Sequence, residues 1–154
     1  MSLNPDASSM EAPYVVFDFE TTGLSPERDE IIEIGAVRVY RGKETDSFAT
    51  LVNPLRAIPA QATAVHGITD AQVADAPSLV EVLPKFLGFL GGDVLVGHNA
   101  LRFDAPFLSS ALRRFKVADM DNFVMDTLML SQRAQPQHRT HPLQAVAARL
   151  NVAQ

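Results

Sequence analysis

Tyr14-Val15-Val16-Phe17-Asp18-Phe19-Glu20-Thr21-Thr22-Gly23-Leu24 is the stretch that decides the fold. Residues 14–18 read as a first strand, buried over the apolar run Tyr14 to Phe17, and two carboxylates two residues apart stand at its end. Strand side chains alternate between faces, so Asp18 and Glu20 share one face of a sheet. They start about 7 Å apart. At an effective dielectric near 20 their repulsion costs about 2 kcal/mol. A cation between them relieves it. The competing reading is a helix cap or a solvated turn, where acidic residues also collect.

Outward from this strand, Ile31 to Tyr40 alternates well enough for a second strand, with Ile32, Ile34 and Ala36 set against Glu33, Gly35 and Val37 in imperfect phase. Arg41-Gly42-Lys43 is a hairpin turn, and Thr45 to Val52 a third strand ended by Asn53-Pro54. The pattern then turns helical. Pro59 to Val65 is a short helix, and Thr69-Asp70-Ala71-Gln72 starts another turn or helix. Ser78 caps a helix from Leu79 to Leu90, with Val80, Leu83, Phe86, Leu87 and Leu90 on one stripe, and Gly91-Gly92 stops it. Val94-Leu95-Val96 is a short buried strand, Asp104 to Phe115 a helix and Phe123-Val124-Met125 a fifth strand. Asp126 or Thr127 caps the helix that follows, and Pro142 opens a last one that runs through Leu150. A three-strand antiparallel meander followed by alternating helices and strands implies an α/β domain on a mixed five-stranded sheet flanked by helices.

The chain has 154 residues, a length that suits one domain with a real core. No apolar run approaches the roughly 20 residues of a membrane span. Residues 1–12 are polar, lack the order of a signal peptide and read as a disordered leader ahead of a domain over 13–154. The absence of cysteine excludes thiolate metal sites and fits a cytoplasmic protein. A net charge of −5 argues against a broad grip on duplex nucleic acid, but not against an enzyme that holds only a strand end.

Leu95-Val96-Gly97-His98-Asn99-Ala100-Leu101-Arg102-Phe103-Asp104 repeats the logic of the first motif. A buried strand runs into a glycine and polar residues, and an Asp stands at a helix start. Alone, Asp104 reads as a helix cap. Beside Asp18 and Glu20 it becomes a third carboxylate of a set that suits Mg²⁺ or Mn²⁺.

Phe17-Asp18-Phe19-Glu20-Thr21-Thr22-Gly23-Leu24, His66-Gly67-Ile68-Thr69 and Gly97 to Leu108 together resemble the DEDD 3′→5′ exonucleases, in particular the proofreading (epsilon) type of bacterial DNA polymerase III. The resemblance covers about residues 14–150. It implies an RNase H-like fold, two divalent ions (Mg or Mn), a single-stranded or frayed DNA 3′ end as substrate and a polymerase subunit as partner. Asp18, Glu20 and Asp104 match three of the family's four metal-binding acids. Thr21, Thr22, Gly23 and Leu24 match the loop that holds the terminal nucleotide, with Leu24 and Phe103 set against the base and His66 and Asn99 near the substrate. From the residues alone, Leu24 and Phe103 also fit a core, Thr22 a turn cap and His66 a satisfied loop histidine. An exoribonuclease of the same fold and a non-catalytic nucleic-acid or polymerase-binding module are the alternatives.

The family pattern also asks for a fourth Asp with a general-base His a few residues before it, on a further helix. From Thr127 to Gln154 there is no Asp or Glu. His141 matches a family position that is not the base, and Asp126 reads as a structural cap. The expectation is a domain without its C-terminal helix and a 154-residue polypeptide with little or no nuclease activity. The missing layer would leave apolar surface open to a dimer.

Overall fold

The computed structural model describes residues 12–152, so most of the expected leader lies outside the described residues. Three strands come first: β1 (Tyr14–Thr21), β2 (Ile31–Tyr40) and β3 (Lys43–Leu51). They form the expected meander, with Tyr14 opposite Val39 and Tyr40 opposite Lys43. Arg41 and Gly42 close the hairpin with φ of 50° and 73°, the doubly left-handed geometry that matches strand twist. β4 (Val94–Gly97) and β5 (Val124–Asp126) extend the sheet in parallel on the other side of β1, for an order β3-β2-β1-β4-β5.

Alternation along β1 separates two faces. Val15, Phe17 and Phe19 are buried, and α3 (Leu79–Leu90) and α4 (Asp104–Arg114) cover them. Both helices present apolar residues at helical spacing: Leu79, Val82, Leu83, Phe86 and Leu90 from α3, and Phe107, Leu108, Ala111 and Leu112 from α4. Phe86 meets Phe19 and Phe48 edge-on or tilted, at 5.7 and 5.4 Å between ring centres. Val80 is the exception to the expected stripe. It is 53% exposed, and Leu79 and Val82 take its place, because the stripe starts at the first helical residue.

The imperfect phase of β2 has a physical cause. Thr21 pairs with Ile31 and Glu20 with Glu33, so Ile32 is the extra residue of a β-bulge. Ile31 and Ile34 join the main core. Ile32 belongs instead to a second cluster with Ile58, Ile68 and Val73, beneath α1 (Ala60–His66) and α2 (Asp70–Val73). The bulge thus seats α1 beside the end of β1.

The chain finishes with α5 (Thr127–Ala134) and α6 (Leu143–Arg149). Asp126 caps α5 as expected, accepting from the Leu128 and Met129 amides. Among the described residues, no helix is long and apolar enough to cross a membrane.

Candidate active site

β1 runs three residues beyond its expected end at Asp18, so Glu20 as well as Asp18 lies within the strand. Asp18 and Glu20 share the face opposite the main core with the half-exposed Val16. Because β1 and β4 are parallel, the segment after β4 leaves the sheet at the same end as the acids. The start of α4 therefore comes back to β1. Asp104 Oδ1 accepts a hydrogen bond of 2.9 Å from the backbone N–H of Phe19, the residue between Asp18 and Glu20. Asp104 thus lies near enough to Asp18 and Glu20 for their charges to act on its carboxyl.

Their electrostatics are those of crowded like charges. Asp104 is 2% exposed, and its carboxyl is pushed up to about 7, first by burial and then by the charge of Asp18. The Phe19 amide and the charge of Glu20 act on it more weakly and in opposite senses. Asp18 reaches solvent, yet the surrounding protein still raises its carboxyl, and the His98 ring partly offsets this. Glu20 is raised by partial burial and by Asp18, is drawn down by His66 and is raised again by Glu33. Glu33 lies directly across from Glu20 on β2, and like charges in that position oppose pairing. This fourth acid was not singled out from the sequence, although the alternation of β2 marks its face.

Among the described residues, no three His, Asp or Glu side chains are closed into a ready cage for a metal ion. Three neighbouring carboxylates, only partly offset by His66, His98 and the Phe19 amide, nevertheless suit a hard divalent ion that keeps several waters and takes further oxygens as ligands. The donor set fits Mg²⁺ or Mn²⁺.

Beside the acids lies a cavity of about 580 Å³. Its walls are Glu20 and the Thr21–Leu24 loop on one side and Pro59, Gln61, Ala62, Val65 and His66 on the other, with Asp29 and Phe103 also lining it. Leu24 and Val65 are 84% and 85% exposed into this space, so Leu24 is not core. Phe103 is half-buried, and its ring lies 5.0 Å from that of Phe107. One ring thus serves core and cavity. Thr21 and Thr22 are buried, and the Thr21 hydroxyl donates to the Gly23 carbonyl at 2.6 Å. Asn99 does not line the cavity. It adopts φ of 62°, and its amide donates to Asp126 Oδ1 at 3.0 Å, while Leu101 N–H donates to Asp126 Oδ2 at 3.1 Å. Asp126 therefore does more than cap α5: it anchors the loop that delivers Asp104.

The imidazoles around the site are committed. His66 Nδ1 accepts from the Ile68 amide at 3.1 Å, so Nε2 carries the proton and donates to the Thr21 carbonyl at 3.2 Å. His98 Nε2 lies 2.7 Å from the His141 carbonyl and Nδ1 lies 3.0 Å from the Thr127 hydroxyl. The buried His141 is held in the same way by Ser131 at 2.7 Å and the His138 carbonyl at 3.1 Å.

Comparison with known proteins gives this geometry its family. The RNase T-type exonuclease family model matches residues 15–154. The PolC-type DNA polymerase III of Caldanaerobacter subterraneus is 46% identical over 140 residues, 91% of this chain and 10% of that protein. A DNA polymerase III subunit epsilon-like protein of Rhodobacter capsulatus is 47% identical over 145 residues, 90% of this chain and 20% of its own length. The chain thus spans only a small part of the curated relatives it matches. Among solved structures, exonuclease X in complex with 5′ overhanging duplex DNA superposes with a TM-score of 0.74 at 30% identity, covering 92% of this chain and 75% of that one. Exonuclease I superposes with a TM-score of 0.80 at 16% identity over 92% of this chain and 36% of its own, a likeness of RNase H-like fold. Sequence match, sheet order and neighbouring acids agree, and the chain belongs to the exonuclease family.

Proposed function

We propose that the chain is a metal-dependent 3′→5′ exonuclease domain that removes the terminal nucleotide from a single-stranded or frayed DNA end, of the proofreading type that works beside a replicative polymerase. One observation carries the reading: the Asp104 carboxylate sits on the Phe19 amide, between Asp18 and Glu20. The family membership supports the hydrolytic chemistry. The polymerase relatives and the DNA-bound exonuclease X support the partner and the substrate.

Asp18, Glu20 and Asp104 would hold two divalent ions, Mg or Mn. Such ions supply an activated water and charge stabilisation for the leaving 3′-oxygen. The protein's own part is positional. Thr21 to Leu24 and α1 form the two walls that take the last sugar and base. Gly23 lets the backbone approach, and Leu24, Val65 and Phe103 offer apolar surface to the base.

A second feature bears on rate. Among the described residues, His66, His98 and His141 each spend both ring nitrogens on hydrogen bonds, so none of these three is free to take a proton from water, and His138 lies exposed beside His141. Lack of a positioned general base costs about 10²–10⁴ in rate. The 154-residue polypeptide is therefore expected to bind Mn²⁺ and a DNA 3′ end yet to cut slowly or not at all. Digestion of a 5′-labelled single strand with Mn²⁺, alongside Asp18→Asn, tests this. A fast ladder that Asp18→Asn abolishes overturns the slow-turnover part and upholds the exonuclease. No Mn²⁺ binding and no strand-end binding together overturn the exonuclease.

A further inference from the structure

Asp29 is the one carboxylate that lines the cavity without belonging to the acidic face. It sits behind the Thr21–Leu24 loop. Its Oδ2 accepts from the Ser25 amide at 2.9 Å, and its Oδ1 lies 3.3 Å from the Thr22 hydroxyl. A Cβ at Gly23 would stand 2.5 Å from this carboxylate, so any larger residue there would displace Asp29. Arg56 reaches the same group from the segment that leads into α1. Its Nη2 donates to Asp29 Oδ1 at 3.2 Å and its Nη1 to the Arg28 carbonyl at 2.6 Å. At the other end of α1, His66 donates to the Thr21 carbonyl. The two walls of the cavity are therefore tied together at both ends.

We propose that Asp29 and Arg56 are positioning residues that set the gap between the Thr21–Leu24 loop and α1, and so decide how firmly a free 3′-terminal nucleotide is gripped. The inference rests on the exonuclease reading above. Asp29 itself holds no ion and touches no reacting atom. It presents a rigid loop to the nucleotide, and Arg56 keeps that loop in register with α1. The fork of Arg56 matters, because it serves two acceptors at once, which a lysine cannot do in that geometry. The pair is partly solvent-exposed, at 43% and 18% for the two side chains, so its loss takes little from overall stability. That makes it separable from folding.

The test uses the 154-residue chain as wild type, Asp29→Asn, Arg56→Lys, Arg56→Gln and Asp18→Asn. Mn²⁺ affinity is read by electron paramagnetic resonance and folding by thermal melting. Grip is read as the ratio of affinities for a 5′-fluorescein dT oligonucleotide with a free 3′ hydroxyl and for the same strand blocked by a 3′-phosphate. In Asp29→Asn and Arg56→Gln the ratio is expected to fall about 10-fold, the loss of one charge-assisted contact, with Mn²⁺ affinity and melting nearly unchanged. Arg56→Lys, which keeps the charge and loses the fork, should fall between. A wild-type ratio retained in both Asp29→Asn and Arg56→Gln overturns the proposal. A ratio lost only in step with the melting temperature also overturns it, since the pair would then act through folding alone. If the wild type binds neither Mn²⁺ nor the free 3′ end, the exonuclease reading itself has failed. Asp18→Asn marks that case by losing Mn²⁺ while keeping the Asp29–Arg56 contact.

Discussion

Asp104 shows what burial among like charges does to one side chain. A carboxyl held at about 7 in the folded protein, against an ordinary 3.8, keeps a proton that the unfolded chain has already released between those values. For this group, metal-free stability is therefore greatest below pH 4, falls as pH rises towards 7 and levels off above it. The span is of order 4–5 kcal/mol as an upper bound, at about 1.4 kcal/mol per unit. Asp104→Asn removes the charge and retains an acceptor for the Phe19 amide. It is expected to melt several degrees higher than wild type at pH 8 without metal, and no longer to gain from added Mn²⁺. Calorimetry at pH 5 and pH 8, with and without Mn²⁺, checks both arms. Metal-free wild type that is no less stable at pH 8 than at pH 5, with Asp104→Asn unchanged, would remove the crowded-carboxylate account. Asp18, Glu20 and Asp104 were legible in the sequence because strand alternation and the two motifs name them. Asp29, Arg56 and Glu33 were not, because their roles depend on which strand lies opposite and which loop folds over, and no local pattern states that.

At the scale of elements, the meander, the α3 boundaries and the cap of α5 follow from local signals: alternation, Ser78 before an apolar stripe, and Asp126 before a helix. The reach of β1 through the acids was hidden, since charged residues read as a strand's end until β2 supplies partners for them. The role of the Ile32 bulge was also hidden, and showed only as imperfect phase. Gly97 sits where β4 lies tight against β1 and against the turn that follows it. An added Cβ would come within 2.7 Å of the Ala100 side chain and 3.1 Å of the Phe17 carbonyl. Gly97→Ala is expected to lower stability by about 1–3 kcal/mol, as overpacking does, and to displace the β4–α4 loop that carries Asp104. Urea unfolding measures the first effect and Mn²⁺ affinity the second. Full retention of both would mean that the loop moves aside freely.

Across the whole molecule, charge sets how the protein meets its substrate. With a net charge of −5 and with Asp18, Glu20 and Glu33 on one face of the sheet, it shows no basic track for a long polyanion among the described residues. Strand-end binding should therefore weaken only gently with salt, with a log–log slope of about −1 to −2, the mark of one to three phosphates on a single strand. Fluorescence anisotropy between 50 and 200 mM salt (roughly the range where such slopes are read) measures it, and a slope steeper than about −4 would reveal a cationic groove that the fold does not display. Packing is equally uneven. Neither α5 nor α6 buries an apolar side chain, and Leu130, Leu143, Leu150 and Val152 stay open to solvent. This end is joined to the sheet through Asp126 at the start of α5, through the Thr127 hydroxyl on the Gly97 carbonyl, and through the His98 imidazole, which reaches Thr127 and the His141 carbonyl. Amide hydrogens there should trade with deuterium long before those of β1 and β4, and a protease should nick there first. Beyond Asp126 the fold can thus come loose like a door swinging from its frame while the acids beside it keep their places.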